Sequence, residues 1–259
     1  MNTNPRGYDD IAFTINEPLG VIVCIGPYNF PISLMAYKVA PALLMGNSIL
    51  MKPSSDTPLG TLMMAKLLVE AGVSPKAVQC VTGSGGRLGE YFCESDQVSA
   101  FALTGSSAAG AKLMRGASEH LQYVMMELGG NDALVIFEDA DLDNAAKEAF
   151  AGRIRNAGQV CMSNKRILVH ESVKHKFVEK LIGHIQKVKI LPPTDDASEF
   201  GCLVSEKAAK EVEEQIRMTA NAGATIVYGG DRTGAFIAPT VLCNVTPDMP
   251  IAQSMKTDP

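Results

Sequence analysis

Two residues far apart in the chain carry reactive groups in suggestive settings: Glu127, within Met126-Glu127-Leu128-Gly129-Gly130, and Cys161, within Asn156-Ala157-Gly158-Gln159-Val160-Cys161. A cysteine beside flexible glycine backbone has the access a nucleophile needs, and a carboxylate closing a strand-like run (Tyr123 to Met126) is placed to activate water. Together they suggest covalent catalysis through a thioester. Each alone has a plainer reading, since a lone Cys is usually a small buried hydrophobe and a lone Glu a surface charge. A third motif, Gly26-Pro27-Tyr28-Asn29-Phe30-Pro31, follows the apolar run Gly20 to Ile25. An Asn between two prolines on a strand-to-helix turn is placed to donate its side-chain amide to an oxyanion. Without the other two motifs, Asn29 would be an Asn satisfying turn backbone.

These motifs, in this order, resemble the aldehyde dehydrogenase superfamily, which carries a Pro-aromatic-Asn-Phe-Pro turn, a Glu-Leu-Gly-Gly segment and a Gly-Gln-x-Cys loop. The resemblance implies that the Cys161 thiolate attacks an aldehyde, that Asn29 and the Cys161 backbone N–H stabilise the oxyanion, and that Glu127 activates water for thioester hydrolysis. It also implies NAD or NADP as cofactor and a homo-oligomer. Arg155 stands in an Arg-Asn-x-Gly-Gln-x-Cys segment similar to that of succinate-semialdehyde dehydrogenases, where the arginine binds the substrate carboxylate, and a bidentate guanidinium suits that task. Its plainer reading is a cation favoured at a helix C-terminus. A second arginine of that subfamily aligns with Tyr37.

Cofactor contacts implied by the resemblance begin with Ile25, Gly26, Pro27 and Tyr28 after the first strand, and include Leu128. Lys52 closes the second strand and matches a lysine that bonds the adenosine ribose. Three residues on, NAD-preferring relatives often carry an acid that repels a 2′-phosphate; here it is Ser55, so NADP use is expected. Gly83-Ser84-Gly85-Gly86-Arg87-Leu88-Gly89 permits the close approach and tight turn of a dinucleotide site, with Gly85 and Gly89 as contacts, although the spacing is not Gly-x-Gly-x-x-Gly and a glycine-rich surface turn reads equally well. Thr104-Gly105-Ser106 precedes a helix through Leu113, and its amides and hydroxyl match the family's pyrophosphate segment.

The elements that must position these groups alternate. Strand-like runs at Val21 to Ile25, Ile49 to Lys52, Val78 to Thr82, Ala100 to Thr104 and Tyr123 to Glu127 are separated by segments long enough for helices, the signature of a parallel sheet. Asp56 or Thr57, Pro58 and Gly72 bound one such helix. Beyond Gly130 the pattern predicts a strand Ala133 to Phe137, an acid-capped helix from Asp141 toward Arg155 and a strand Arg166 to His170. Helices Val173 to Lys189 and Ser205 to Ala222 follow, then strands Thr225 to Tyr228 and Phe236 to Leu242. The alternation gives an α/β fold, and the resemblance implies that it is aldehyde dehydrogenase-like: an oligomerisation-type strand segment (1–17), a parallel Rossmann-type dinucleotide-binding domain (18–129) and an incomplete α/β catalytic domain (130–259).

Composition excludes other classes. A net charge of -5 and a pI near 5.4 leave no basic footprint for nucleic acid. No apolar run reaches membrane-spanning length and the N-terminus lacks a signal-peptide core, so a cytoplasmic location is expected. Six widely spaced cysteines without a Cys-x-x-Cys pair indicate neither a metal site nor a disulfide framework. Members of the superfamily are longer at both ends, and their Glu-x-Phe-Gly-Pro motif is due where this chain reads Lys256-Thr257-Asp258-Pro259. Oxidation of an aldehyde, such as succinate semialdehyde, is therefore weighed against a noncatalytic remnant that binds nucleotide or associates with other subunits. A CoA-acylating dehydrogenase needs no hydrolytic base, and Glu127 speaks against it.

Overall fold

The computed structural model describes residues 13–192 and 194–253, which fall into two compact units. The first holds residues 13–26 together with Phe30–Leu103 and Ala111–Met126; the second holds Pro27–Asn29, Thr104–Gly110 and the described residues from Glu127 onward. Of the expected oligomerisation-type strand segment (1–17), residues 1–12 lie outside the described residues and residues 13–17 form no strand. Lys256 to Pro259 also lie outside the described residues.

In the first unit, strands β1 (Val21–Ile25), β2 (Ser48–Lys52), β3 (Val78–Cys80), β4 (Val98–Thr104) and β5 (Tyr123–Glu127) form one sheet in the order β3-β2-β1-β4-β5. β1 pairs in parallel with β2 and β4, and β2 with β3. Because β1 is central its residues are apolar on both faces: Ile22 and Cys24 pack with Met35, Val39, Ile49 and Met51, and Val23 is fully buried on the opposite side. The strand order reverses between β1 and β4, the position at which doubly wound sheets open their ligand crevice.

Helices α1 (Ser33–Leu44), α2 (Pro58–Glu70), α3 (Gly85–Glu94) and α4 (Ser107–Ser118) connect these strands. α2 begins with Pro58 after an N-cap Thr57 and gives way at Gly72, whose φ of +100° suits glycine. On α2, Leu59, Met63 and Leu67 share one exposed stripe. β3 ends two residues earlier than its sequence signal, which ran to Thr82.

The second unit is built on the parallel pair β6 (Asp132–Ile136) and β7 (Asn164–Val169), packed by helices α5 (Leu142–Ile154) and α6 (Lys174–Ile185). Its core contains Ile136, Ala146, Ala149, Phe177 and Leu181. α5 starts at the expected place because the Asp141 carboxylate accepts from the N–H groups of Asp143 and Asn144, at 3.0 and 3.2 Å. Helix α7 (Glu206–Asn221) is capped by Ser205 and packs Ala209 and Ile216 against Leu203 and Ile237.

Two antiparallel pairs follow, β8 (Thr225–Tyr228) with β11 (Val241–Cys243) and β9 (Arg232–Thr233) with β10 (Phe236–Ile237), before a short helix α8 (Pro250–Gln253). The single strand expected over Phe236 to Leu242 is thus two strands in different pairs. Pro239 has no N–H to give a ladder, and Thr240 spends its hydroxyl on the Gly230 N–H and the Ala238 carbonyl. Among the described residues no helix is long and apolar enough to cross a membrane.

Candidate active site

The loop that carries Cys161 begins where α5 stops. Arg155 leaves helical geometry, and Asn156, Ala157 and Gly158 then take φ values of +49°, +54° and +78°. Two consecutive non-glycine residues in the left-handed region cost on the order of 1–2 kcal/mol each and persist only where the surroundings hold them. Here they are held from several sides. Asn156 donates from Nδ2 to the Asn29 carbonyl at 3.2 Å. Gln159 donates from Nε2 to the Asn156 carbonyl, and its Oε1 accepts from the Val204 N–H, both at 2.9 Å. Arg153 Nη1 donates to the Gly158 carbonyl at 2.6 Å and to Ser163 Oγ at 3.2 Å, while Ser163 donates to the Gly152 carbonyl at 2.8 Å.

The Arg153 guanidinium is held against neutral acceptors, and its burial pulls its pKa below the usual value for arginine. A Cβ on Gly158 would lie 2.7 to 3.1 Å from that guanidinium. Gly158→Val is therefore expected to cost about 2 kcal/mol or more through both collision and backbone strain. Thermal unfolding checks this: an unchanged midpoint would show that the loop does not depend on its left-handed turn.

The structure brings Asn29 and Glu127's segment to this loop. Asn29 is buried and donates from Nδ2 to the Gln159 carbonyl at 2.9 Å, two residues before Cys161. Glu127 ends β5 with its side chain exposed, and its own carbonyl accepts from the Gly105 N–H at 3.1 Å. Three residues on, a Cβ at Gly130 would come within 2.9 Å of the Cys161 carbonyl oxygen. That close approach is why glycine stands there. Cys161 itself is half-buried.

The other sequence-derived residues fall elsewhere. Arg155 is the exposed C-cap of α5. Thr104 is buried, the Gly105 amide is engaged by Glu127, and Ser106 Oγ caps α4 by accepting from the Ala109 N–H at 3.1 Å. Tyr28 belongs to the second unit with Asn29, whereas Ile25 closes β1 and Gly26 follows it in the first. Also in the first unit, Lys52 is buried and donates to the Pro53 carbonyl at 3.0 Å, and burial lowers its pKa. A Cβ on Gly85, the first residue of α3, would lie 3.5 Å from the Lys52 ammonium. Ser55 is exposed and donates to the Gly83 carbonyl at 3.1 Å.

Sequence reasoning assigned nothing to Arg153, Ser163 or Lys165. The available signal was a polar run, Ser163-Asn164-Lys165, directly after Cys161 and lacking strand alternation at its start. Among the described residues no group of three or more His, Cys, Asp or Glu side chains is placed to hold a metal ion.

A thiol, a carboxylate-bearing segment and a buried amide thus meet on one loop, in the order that the three sequence motifs require. A model of the aldehyde dehydrogenase family matches residues 2–255. The chain belongs to the aldehyde dehydrogenase family. It is 39% identical over 253 residues to 3-sulfolactaldehyde dehydrogenase of Priestia aryabhattai, covering 98% of this chain and 53% of that relative. It is 38% identical to the mitochondrial succinate-semialdehyde dehydrogenase of Oryza sativa, covering 95% of this chain and 47% of that one.

Among solved structures of the family, the succinate-semialdehyde dehydrogenase of Burkholderia pseudomallei matches with a TM-score of 0.90 and 38% identity over 93% of this chain and 50% of its own. A betaine aldehyde dehydrogenase of Staphylococcus aureus in complex with NAD+ matches with a TM-score of 0.89 and 34% identity, over 92% and 49%. The chain therefore spans about half the length of the family members it matches.

Proposed function

We propose that this chain carries the catalytic residues for oxidising an aldehyde to its carboxylic acid with NAD or NADP, through a thioester on Cys161. The observation that carries this reading is the docking of the Asn29 amide on the Gln159 carbonyl, two residues before Cys161, which supports Asn29 as an oxyanion donor beside the thiol. In the proposed reaction the Cys161 thiolate attacks the carbonyl carbon. Negative charge gathers on the carbonyl oxygen, where Asn29 Nδ2 and the Cys161 N–H stabilise it by about 3 kcal/mol each. Glu127 then takes a proton from the water that attacks the acyl carbon, and the thiolate leaves.

The first unit suits a nicotinamide dinucleotide. Lys52 is a buried ammonium that donates to a neutral carbonyl, and the glycine start of α3 lies beside it. Lys52, Ser55, Gly85 and Gly89 would hold the adenosine end, and Ser55 in place of an acid admits a 2′-phosphate. When bound, the cofactor supplies the hydride acceptor. For substrate we favour a carboxylated aldehyde such as succinate semialdehyde, with the Arg155 guanidinium taking the carboxylate. Two of the relatives are named for anionic aldehydes, 3-sulfolactaldehyde and succinate semialdehyde.

Glu127→Gln tests the division of labour. With succinate semialdehyde and NADP it is expected to keep a burst of reduced cofactor and to lose steady turnover by on the order of 100-fold, with acyl group trapped on Cys161. Loss of the burst itself would place Glu127 in the first half-reaction. No burst from the unsubstituted chain would leave nucleotide binding as the surviving function.

A further inference from the structure

Lys165 grips the peptide that precedes the nucleophile. Its Nζ donates to the Val160 carbonyl at 3.1 Å and to the Cys161 carbonyl at 2.6 Å. The second of these oxygens is the one that Gly130 approaches from the other segment. No peptide bond among the described residues is cis, so the Val160 carbonyl and the Cys161 N–H point in opposite directions from one rigid plane. Drawing the Val160 oxygen toward the Lys165 ammonium therefore turns the Cys161 N–H away from it. Among the described residues that N–H makes no hydrogen bond, although Cys161 is half-buried. A backbone donor left open beside the candidate nucleophile is the form an oxyanion site takes.

We propose that Lys165 is a positioning residue that sets the direction of the Cys161 N–H, and so the oxyanion donor, by holding the Val160 and Cys161 carbonyls. The Val160 carbonyl also accepts from the Ser163 N–H at 3.2 Å, and Arg153 holds the earlier part of the loop at Gly158, so Lys165 is the charged donor among the groups that hold the 160–161 peptide. This rests on the reading of Cys161 as the nucleophile. It concerns only reactions that pass through an oxyanion, and two reagents separate these from simple thiol reactivity.

Acylation by p-nitrophenyl acetate forms a sulfur–carbon bond through a tetrahedral oxyanion and expels p-nitrophenolate, the thiol proton passing to water. Alkylation by iodoacetamide displaces iodide from a saturated carbon and makes no oxyanion. In the folded chain, Lys165→Met is expected to slow acylation of Cys161 by on the order of 100-fold relative to alkylation of the same thiol. Lys165→Arg is expected to restore most of that ratio, because a guanidinium can still bond both carbonyls. The ratio of two rates on one sample cancels any change in the fraction folded. Equal slowing of both reagents, or an unchanged ester rate, overturns the proposal. Cys161→Ala is the separate control: if it leaves the acylation rate unchanged, the assignment of the nucleophile fails, whatever Lys165 does.

Discussion

Brief treatment of the folded protein with iodoacetamide at neutral pH is expected to alkylate Cys161 while leaving Cys24 intact, with rates differing by about a thousandfold or more. Cys24 is fully buried in β1, and burial pushes its thiol up from 9.0 to about 12, against a smaller opposing pull from Lys38. At neutral pH its thiolate is about a thousandfold scarcer than that of an ordinary thiol, before access is counted. Burial also raises the thiols of Cys80, Cys93 and Cys243. Cys202 is exposed and supplies the rate of an accessible thiol without a site around it. Peptide mass mapping over a time course reads all six. Cys161 should label at least as fast as Cys202 despite being half-covered, and prior labelling of Cys24 or Cys243 would refute its assignment as the nucleophile.

The same buried thiol makes the fold sensitive to alkali. Because Cys24 titrates near 12 when folded and near 9.0 when unfolded, the unfolded chain holds fewer protons between these values, and stability falls as pH rises through that window. Below the unfolded value the contribution is fully present. Its loss is complete only above about pH 12 and amounts to on the order of 4 kcal/mol. Cys80, Cys93 and Cys243 shift in the same direction and add to the slope. Cys24→Ala is expected to be less stable at neutral pH, since it empties part of a packed core, but to lose stability more gradually from about pH 9 upward. Urea denaturation across that range gives both slopes. Parallel curves for the two proteins would show that Cys24 is not the titrating group.

Local chemistry was enough to find most of the elements and the three motifs. β1 and β5 stand where the apolar runs placed them, and α5 and α7 begin at their Asp141 and Ser205 caps, because side-chain pattern and capping act over a few residues. The break of the Phe236 to Leu242 run was also present locally, in Pro239, whose missing N–H counts against a continuous strand.

The site was a different matter, because its bonds join residues that no short pattern relates. Asn29 reaches Gln159 across 130 positions. Gly130 was visible as part of a motif, but its reason, a backbone oxygen from residue 161 where a Cβ would sit, exists only in three dimensions. The left-handed turn at Asn156 and Ala157 runs against their intrinsic preference and survives because Asn29, Gln159 and Arg153 hold it. Arg153 and Lys165, read in sequence, are two more cations near a helix end and a strand. Only packing turns them inward, onto carbonyls at 158, 160 and 161, and so decides which way the peptide beside Cys161 faces.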